Sequence, residues 1–176
     1  MIESVSERIS GYLYERNDSK NVSKEVMKYA LISIMTNTAT IILSLCIGLI
    51  DGMFKETCIA LVVTAVLRLL AGGRHLQSPI LCILASSAVV VVVPFVPLIL
   101  PLIYACTVIS LLLVWKFAPV DFKNNTRITD ETLKLMKYAA LLLICSNLFI
   151  QSQLLAISWF IVALTLIPYK GGEDHE

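Results

Sequence analysis

Charge is scarce in this sequence. Lysine and arginine number 14 and aspartate and glutamate 13, or 15% of 176 residues, against 57% apolar residues and a mean hydropathy of +0.82. A soluble domain of this length needs far more polar surface to face water. No basic run and no basic patch interleaved with aromatics is present, so nothing in the chain addresses nucleic acid. Metal-type spacing is missing too. Cys46, Cys58, Cys82, Cys106 and Cys145 each stand alone without a CxxC pair, and His75 is the one histidine outside the extreme C-terminal tail. No metal or cofactor site is expected from such spacing, and an odd number of cysteines in apolar settings argues against a disulfide framework. Residues 1–28 alternate charges with scattered apolar residues and contain no apolar signal core, so no cleavable leader is expected. Internal repeats and carboxylates within the apolar stretches are also lacking, which weighs against a transporter.

What is present is a series of apolar stretches. They run from about 29 to 50, 57 to 70, 79 to 93, 102 to 117, 138 to 150 and 154 to 167. A span needs roughly 20 apolar residues, so several of these are short and would need help from flanking residues or a thinner bilayer. The expectation is an all-α integral membrane protein. It would comprise an N-terminal segment at 1–28, a six-helix transmembrane domain at 29–170 and an acidic tail at 171–176. Ile2, Val5, Ile9, Tyr12 and Leu13 fall at helical spacing. They fit an amphipathic helix on the membrane surface or against the bundle, and equally a solvated leader. With the N-terminus inside, thirteen of the fourteen lysines and arginines lie on one side and only Lys55 on the other. The positive-inside rule then places both termini in the cytoplasm, which six spans also require. Residues 116–137 read as a charged inner loop, whose basic residues are either ordinary positive-inside charges or a docking surface for an acidic partner.

The unusual residues gather in one polar, glycine-rich interruption, Arg68, Gly72, Gly73, Arg74, His75, Gln77 and Cys82. Ser78 suits an N-cap and Pro79 a first helical residue, which puts Cys82 fourth in its helix, near the positive dipole end. Helix N-termini and nearby cations lower a thiol's pKa, and Arg68 and Arg74 are the candidate cations. The alternative for Arg68 is that it snorkels to inner headgroups. The other four cysteines read as small packing residues. His75 is the imidazole available as a base, and a Cys–His pair is the minimum for nucleophilic acyl transfer. Seven residues of straight helix would hold His75 and Cys82 roughly 10 Å apart along the axis, whereas proton transfer needs about 3 Å. An irregular or re-entrant segment around 71–79 is therefore expected, with Gly72-Gly73 and Pro79 permitting the bend. Such backbone must be buried in protein or face water. The pattern alone does not fix the reaction.

The run R-L-L-A-G-G-R-H-L-Q-S-P-I-L-C, with Arg68, Gly73, His75 and Cys82, resembles the signature of the accessory gene regulator protein B family. Members are membrane cysteine peptidases of Gram-positive quorum sensing. Phe117-Ala118-Pro119-Val120-Asp121 resembles the aromatic-Ala-Pro segment after that family's fourth span. The Phe122-Lys123-Asn124-Asn125-Thr126 stretch departs from it by lacking proline, which bears on substrate docking. The resemblance implies a thiol protease in the cell membrane, with its site cytoplasmic and a homodimer as its assembly. The substrate would be an autoinducer propeptide with an amphipathic leader, a short core and an acidic tail. Cys82 would attack the core–tail carbonyl, His75 would act as base and then acid, and the core would cyclise from a thioester to a thiolactone or lactone. Arg68 would stabilise the pair or the oxyanion, Gly73 would allow close backbone approach, and Gln77 is the nearest polar candidate to orient His75. The competing readings are a small membrane exporter and a non-catalytic membrane scaffold. Both should tolerate Cys82→Ser, which the enzyme should not.

Overall fold

The computed structural model describes residues 2–16, 23–73, 78–120 and 129–168. Within these residues every regular element is a helix: α1 (Ile2–Glu15), α2 (Lys24–Ile50), α3 (Phe54–Ala71), α4 (Pro79–Val92), a 3₁₀ turn (Val93–Phe95), α5 (Leu100–Phe117), α6 (Asp130–Ile150) and α7 (Gln153–Leu164). The ends follow local chemistry. Ser23 is extended and its hydroxyl accepts the Val26 amide at 3.3 Å, capping α2. At the other end of α2, Gly52 takes a φ of 72° and Met53 donates back to the Gly48 carbonyl at 2.9 Å, so α3 returns along α2. Pro94 cannot supply the next amide to α4, and the helix gives way there.

Each of the six expected apolar stretches lies within a helix or its end, but their lengths differ. α2, α5 and α6 are long and apolar enough to cross a membrane. α3 carries Lys55, Glu56 and Arg68 within its 18 residues, and α4 and α7 have 14 and 12 residues, short of the roughly 20 a span needs. Three candidate spans are therefore what length and composition give. The loop expected over 116–137 is partly helical. α5 runs through Lys116 and Phe117, and α6 begins at Asp130, eight residues before its apolar stretch. Asp130 and Glu131 in its first turn complement the helix dipole, which explains why a charged segment is helical.

Burial is inverted relative to a water-soluble protein. The face that α2 turns inward is Thr36, Thr40, Ser44 and Gly48, one residue per turn, whereas Ile34, Ile41, Ile42 and Leu49 point outward. Phe149 on α6 is 87% exposed. Small residues inside and large aliphatic ones outside are the packing of helices surrounded by lipid, where close backbone approach replaces hydrophobic collapse. Gly48 shows how close: a Cβ there would sit 2.7 Å from the Thr57 hydroxyl. α2 packs on α1, α3 and α4, while α3 also meets α6 and α7, and α5 lies against α6 and α7. An apolar core of Leu67, Ala71, Val114, Ile144, Trp159 and Leu166 joins α3, α5, α6 and α7.

The two ends of the bundle differ. At one end the Val120 amide donates to the Ala71 carbonyl at 3.2 Å and Lys137 lies 5.7 Å from the Trp115 ring. At the other, Leu98 N donates to Gln153 Oε1 at 3.2 Å and Gln151 Nε2 to the Tyr104 hydroxyl at 2.7 Å. Among the described helices that follow α1, Lys24, Lys28, Arg68, Lys116, Lys134 and Lys137 belong to the first end and Lys55 to the second. That segregation is the same one the sequence shows.

Candidate functional site

The site forms at the basic end, where α3 stops. Arg68 stands in its last turn, half-buried. The Gly72 amide donates to the Arg68 carbonyl at 2.9 Å, and Gly72 and Gly73 then take φ values of 79° and 148°. Both lie in the region that side chains disfavour, so the chain leaves the helix by a route open to glycine. Gly73 is also crowded. A Cβ there would lie 3.0 Å from the Thr165 hydroxyl, 3.4 Å from Arg68 Nε and 3.7 Å from Arg68 Nη2. The Arg68 guanidinium thus folds over Gly73, and Thr165, just past α7, closes the other side. Thr165 donates its own hydroxyl proton to the Val162 carbonyl at 2.7 Å.

Two neighbouring elements hold this end of α3 in place. Ala118 is buried in the core, and the Val120 amide reaches the Ala71 carbonyl, so the Phe117–Val120 segment lies along the helix end. Trp159 on α7 donates its indole N–H to the Val63 carbonyl at 3.2 Å, fixing α7 against α3. Arg68 and Gly73 are therefore brought together with Thr165, which the sequence did not single out, beside an end of α3 held by the Val120 amide of the aromatic-Ala-Pro segment. Nothing in the pattern marks Thr165, because its role depends on where α7 ends in space.

Cys82 is the fourth residue of α4, and its amide makes the first backward bond of that helix, to Ser78 O at 3.0 Å. It is the one buried cysteine; Cys46 is exposed, and Cys58, Cys106 and Cys145 are partly exposed. The four read as small packing residues thus lie nearer the outer surface of the bundle than Cys82 does. Ser78 occupies the N-cap position with extended backbone, but its hydroxyl makes no capping bond to α4. The thiol therefore lies in the first turns of α4, close to the positive end of the helix dipole. Arg74, His75, Leu76 and Gln77 lie outside the described residues, so the His75–Cys82 approach and the placement of Gln77 lie outside them too. Lys123 and Arg127 of the basic segment do as well, while Lys116, Lys134 and Lys137 stand on α5 and α6 at the same end of the bundle. Among the described residues no group of His, Cys, Asp or Glu is arranged to hold a metal ion.

The family model described as Accessory gene regulator B matches residues 6–168. AgrB-like protein 2 of Clostridium perfringens strain 13 is 28% identical over 162 residues, covering 86% of this chain and 76% of its own length. An AgrB-like protein of Clostridium perfringens strain SM101 matches to the same extent. The protein FsrB of Enterococcus faecalis is 28% identical over 154 residues, covering 80% of this chain and 63% of its own. No solved structure matches the chain.

Proposed function

This chain belongs to the accessory gene regulator B family, and from that premise we propose that it is a multi-pass membrane cysteine endopeptidase that processes an autoinducer propeptide in quorum sensing. The observation that carries the reading is Cys82, a buried thiol in the first turns of α4, at the bundle end where Arg68 folds over Gly73. All six apolar helices would cross or enter the bilayer, with α3, α4 and α7 accommodated by tilt, flanking residues or local thinning. Residues 1–28 form the amphipathic N-terminal segment, 29–170 the transmembrane domain and 171–176 the acidic tail, with both termini and the site cytoplasmic.

The chemistry divides among named groups. The Cys82 thiolate adds to the carbonyl at the core–tail junction, forming a C–S bond and an oxyanion. The Arg68 guanidinium is the candidate to stabilise that charge. His75 takes the thiol proton at the outset and returns it to the leaving amine as the C–N bond breaks. The tail departs with its new amino terminus, leaving the core as a thioester on Cys82. A cysteine or serine side chain of the core then attacks that thioester, the Cys82 thiolate leaves, and a thiolactone or lactone forms. The thioester retains the acyl energy that hydrolysis would dissipate. Gly73 leaves space for the guanidinium, Gln77 would orient His75, and the basic residues over 116–137 would attract the acidic tail. Two copies would form the working unit.

Wild type, Cys82→Ala and His75→Ala co-expressed with a propeptide, followed by mass spectrometry of the peptide, test the proposal. Cleavage should vanish in both variants at unchanged membrane levels, and a core–thioester adduct on Cys82 should be trappable. Normal cleavage by either variant overturns the catalytic assignment.

A further inference from the structure

α1 attaches to α2 through its small, polar face. Ser6 and Ser10 are fully buried, the Ser6 hydroxyl donating to Met35 Sδ at 3.5 Å, while Val5, Ile9, Tyr12 and Leu13 stand 40, 39, 55 and 43% exposed. Those four recur at i, i+4, i+7 and i+8, so they form one stripe, and it points away from the bundle. Hydrophobic collapse would have chosen the opposite orientation. The charges are sorted as well. Glu7, exposed on α1, pairs with Lys28 at 2.6 Å and Lys24 at 3.7 Å, and the hydrogen bond from Lys28 holds its carboxyl below the usual carboxylate range. The acid beside α2 is thereby matched by cations. Arg8 and Arg16 are exposed, and the Arg16 guanidinium rests 4.4 Å from the Tyr12 ring centroid.

A stripe of aliphatic residues flanked by tyrosine and arginine suits the boundary between headgroups and acyl chains. The stripe is also continuous with lipid-type surface, since α2 beside it exposes Val26, Tyr29 and Ile34. We propose that the outward stripe of α1 is an interfacial membrane anchor, seated in the phospholipid headgroup–acyl boundary at the bundle end that carries Gly73. Its function is to hold that end at a set depth, so that a peptide adsorbed on the same leaflet meets the site without leaving the membrane surface. The proposal rests on the membrane reading above and is separable from the peptidase chemistry.

The test uses the full chain in phosphatidylcholine–phosphatidylglycerol vesicles doped with a phosphatidylcholine whose acyl chain carries a diazirine. After irradiation, adducts are mapped by peptide mass spectrometry. Val5, Ile9, Tyr12 and Leu13 should be labelled at yields comparable to Ile34 and Ile41 on α2, with Ser6 and Ser10 unlabelled. Ile9→Asp combined with Leu13→Asp should lower labelling at Val5 and Tyr12 several-fold and leave Ile34 and Ile41 unchanged, which also shows the chain still folded and inserted. Labelled α2 with an unlabelled α1 stripe overturns the proposal, as do cross-links between copies through the stripe in place of lipid adducts. If Ile34 and Ile41 also stay unlabelled, the membrane reading itself fails, and the anchor with it.

Discussion

Gly73→Ala separates two physical effects at the site. The first is backbone strain, because a φ of 148° is a conformation that L side chains rarely adopt, at a cost of about 1–3 kcal/mol. The second is crowding, since the new methyl would lie 3.0 Å from the Thr165 hydroxyl and 3.4 Å from Arg68 Nε. Those contacts are tight by only a few tenths of an ångström, so side-chain adjustment can relieve them and strain dominates. A cost of about 1–3 kcal/mol depopulates the native turn about 5- to 150-fold, and propeptide processing should fall by that order at unchanged membrane levels. Thr165→Ala added to Gly73→Ala removes the crowding but not the strain, so it should recover only the smaller part. The assay is the rate of tail release measured by mass spectrometry, normalised to enzyme in the membrane. Processing by Gly73→Ala within twofold of wild type, or full recovery through Thr165→Ala, would refute the reasoning.

Other contacts in the bundle carry expected outcomes of their own. Gly48→Ala should destabilise the α2–α3 hairpin by about 1–3 kcal/mol through overpacking against Thr57, offset by up to about 1 kcal/mol of helix propensity; adding Thr57→Ala should restore most of the loss, as read by detergent unfolding. Asn147→Leu should cost about 1–3 kcal/mol in the same assay, because the buried Asn147 amide bonds to Thr107 Oγ1 at 3.1 Å, Ser152 O at 3.2 Å and Ser152 N at 2.9 Å. The Glu7 carboxyl has a lowered pKa in the folded chain. Its contribution to docking α1 is therefore present above the ordinary carboxylate range and lost as pH falls through the folded value. Hydrogen exchange over residues 2–15, corrected for intrinsic rates, should rise on acidification through that range, and Glu7→Gln should show the faster exchange already at neutral pH.

Helix existence was legible in the apolar stretches, and the position of Cys82 in α4 followed from Ser78-Pro79. The glycine exit from α3 was also foreseeable, since Gly72-Gly73 after a basic last turn is helix-stop chemistry. Helix lengths were less so. The Asp130–Lys137 turns of α6 are charged, and hydropathy marks only where a helix is apolar, not where it is helical. Thr165 was not legible, and Val120 was legible only as part of the aromatic-Ala-Pro segment, because each meets Gly73 or Ala71 across a long stretch of chain, through tertiary contact alone. Asn147 likewise reads as an isolated polar residue until the turn at Gln151, with a φ of 56°, brings Ser152 back onto it. The outward stripe of α1 had the right period, but which face α2 would hold was decided by the small size of Ser6 and Ser10.

The hydrogen bond from the Val120 amide to the Ala71 carbonyl gives the bundle a short line of mechanical communication. Ala71 is covalently followed by the two glycines, and Val120 by Asp121 and the basic stretch beyond it. A pull on that stretch is therefore shared between the covalent path back to α5 and one hydrogen bond to the residue just before the glycine pair. Because Ala71 and Ala118 on either side are packed into the core, the load cannot dissipate in a loose loop. The share of traction that crosses the hydrogen bond reaches the chain directly before the glycine pair, where backbone without side chains yields most readily.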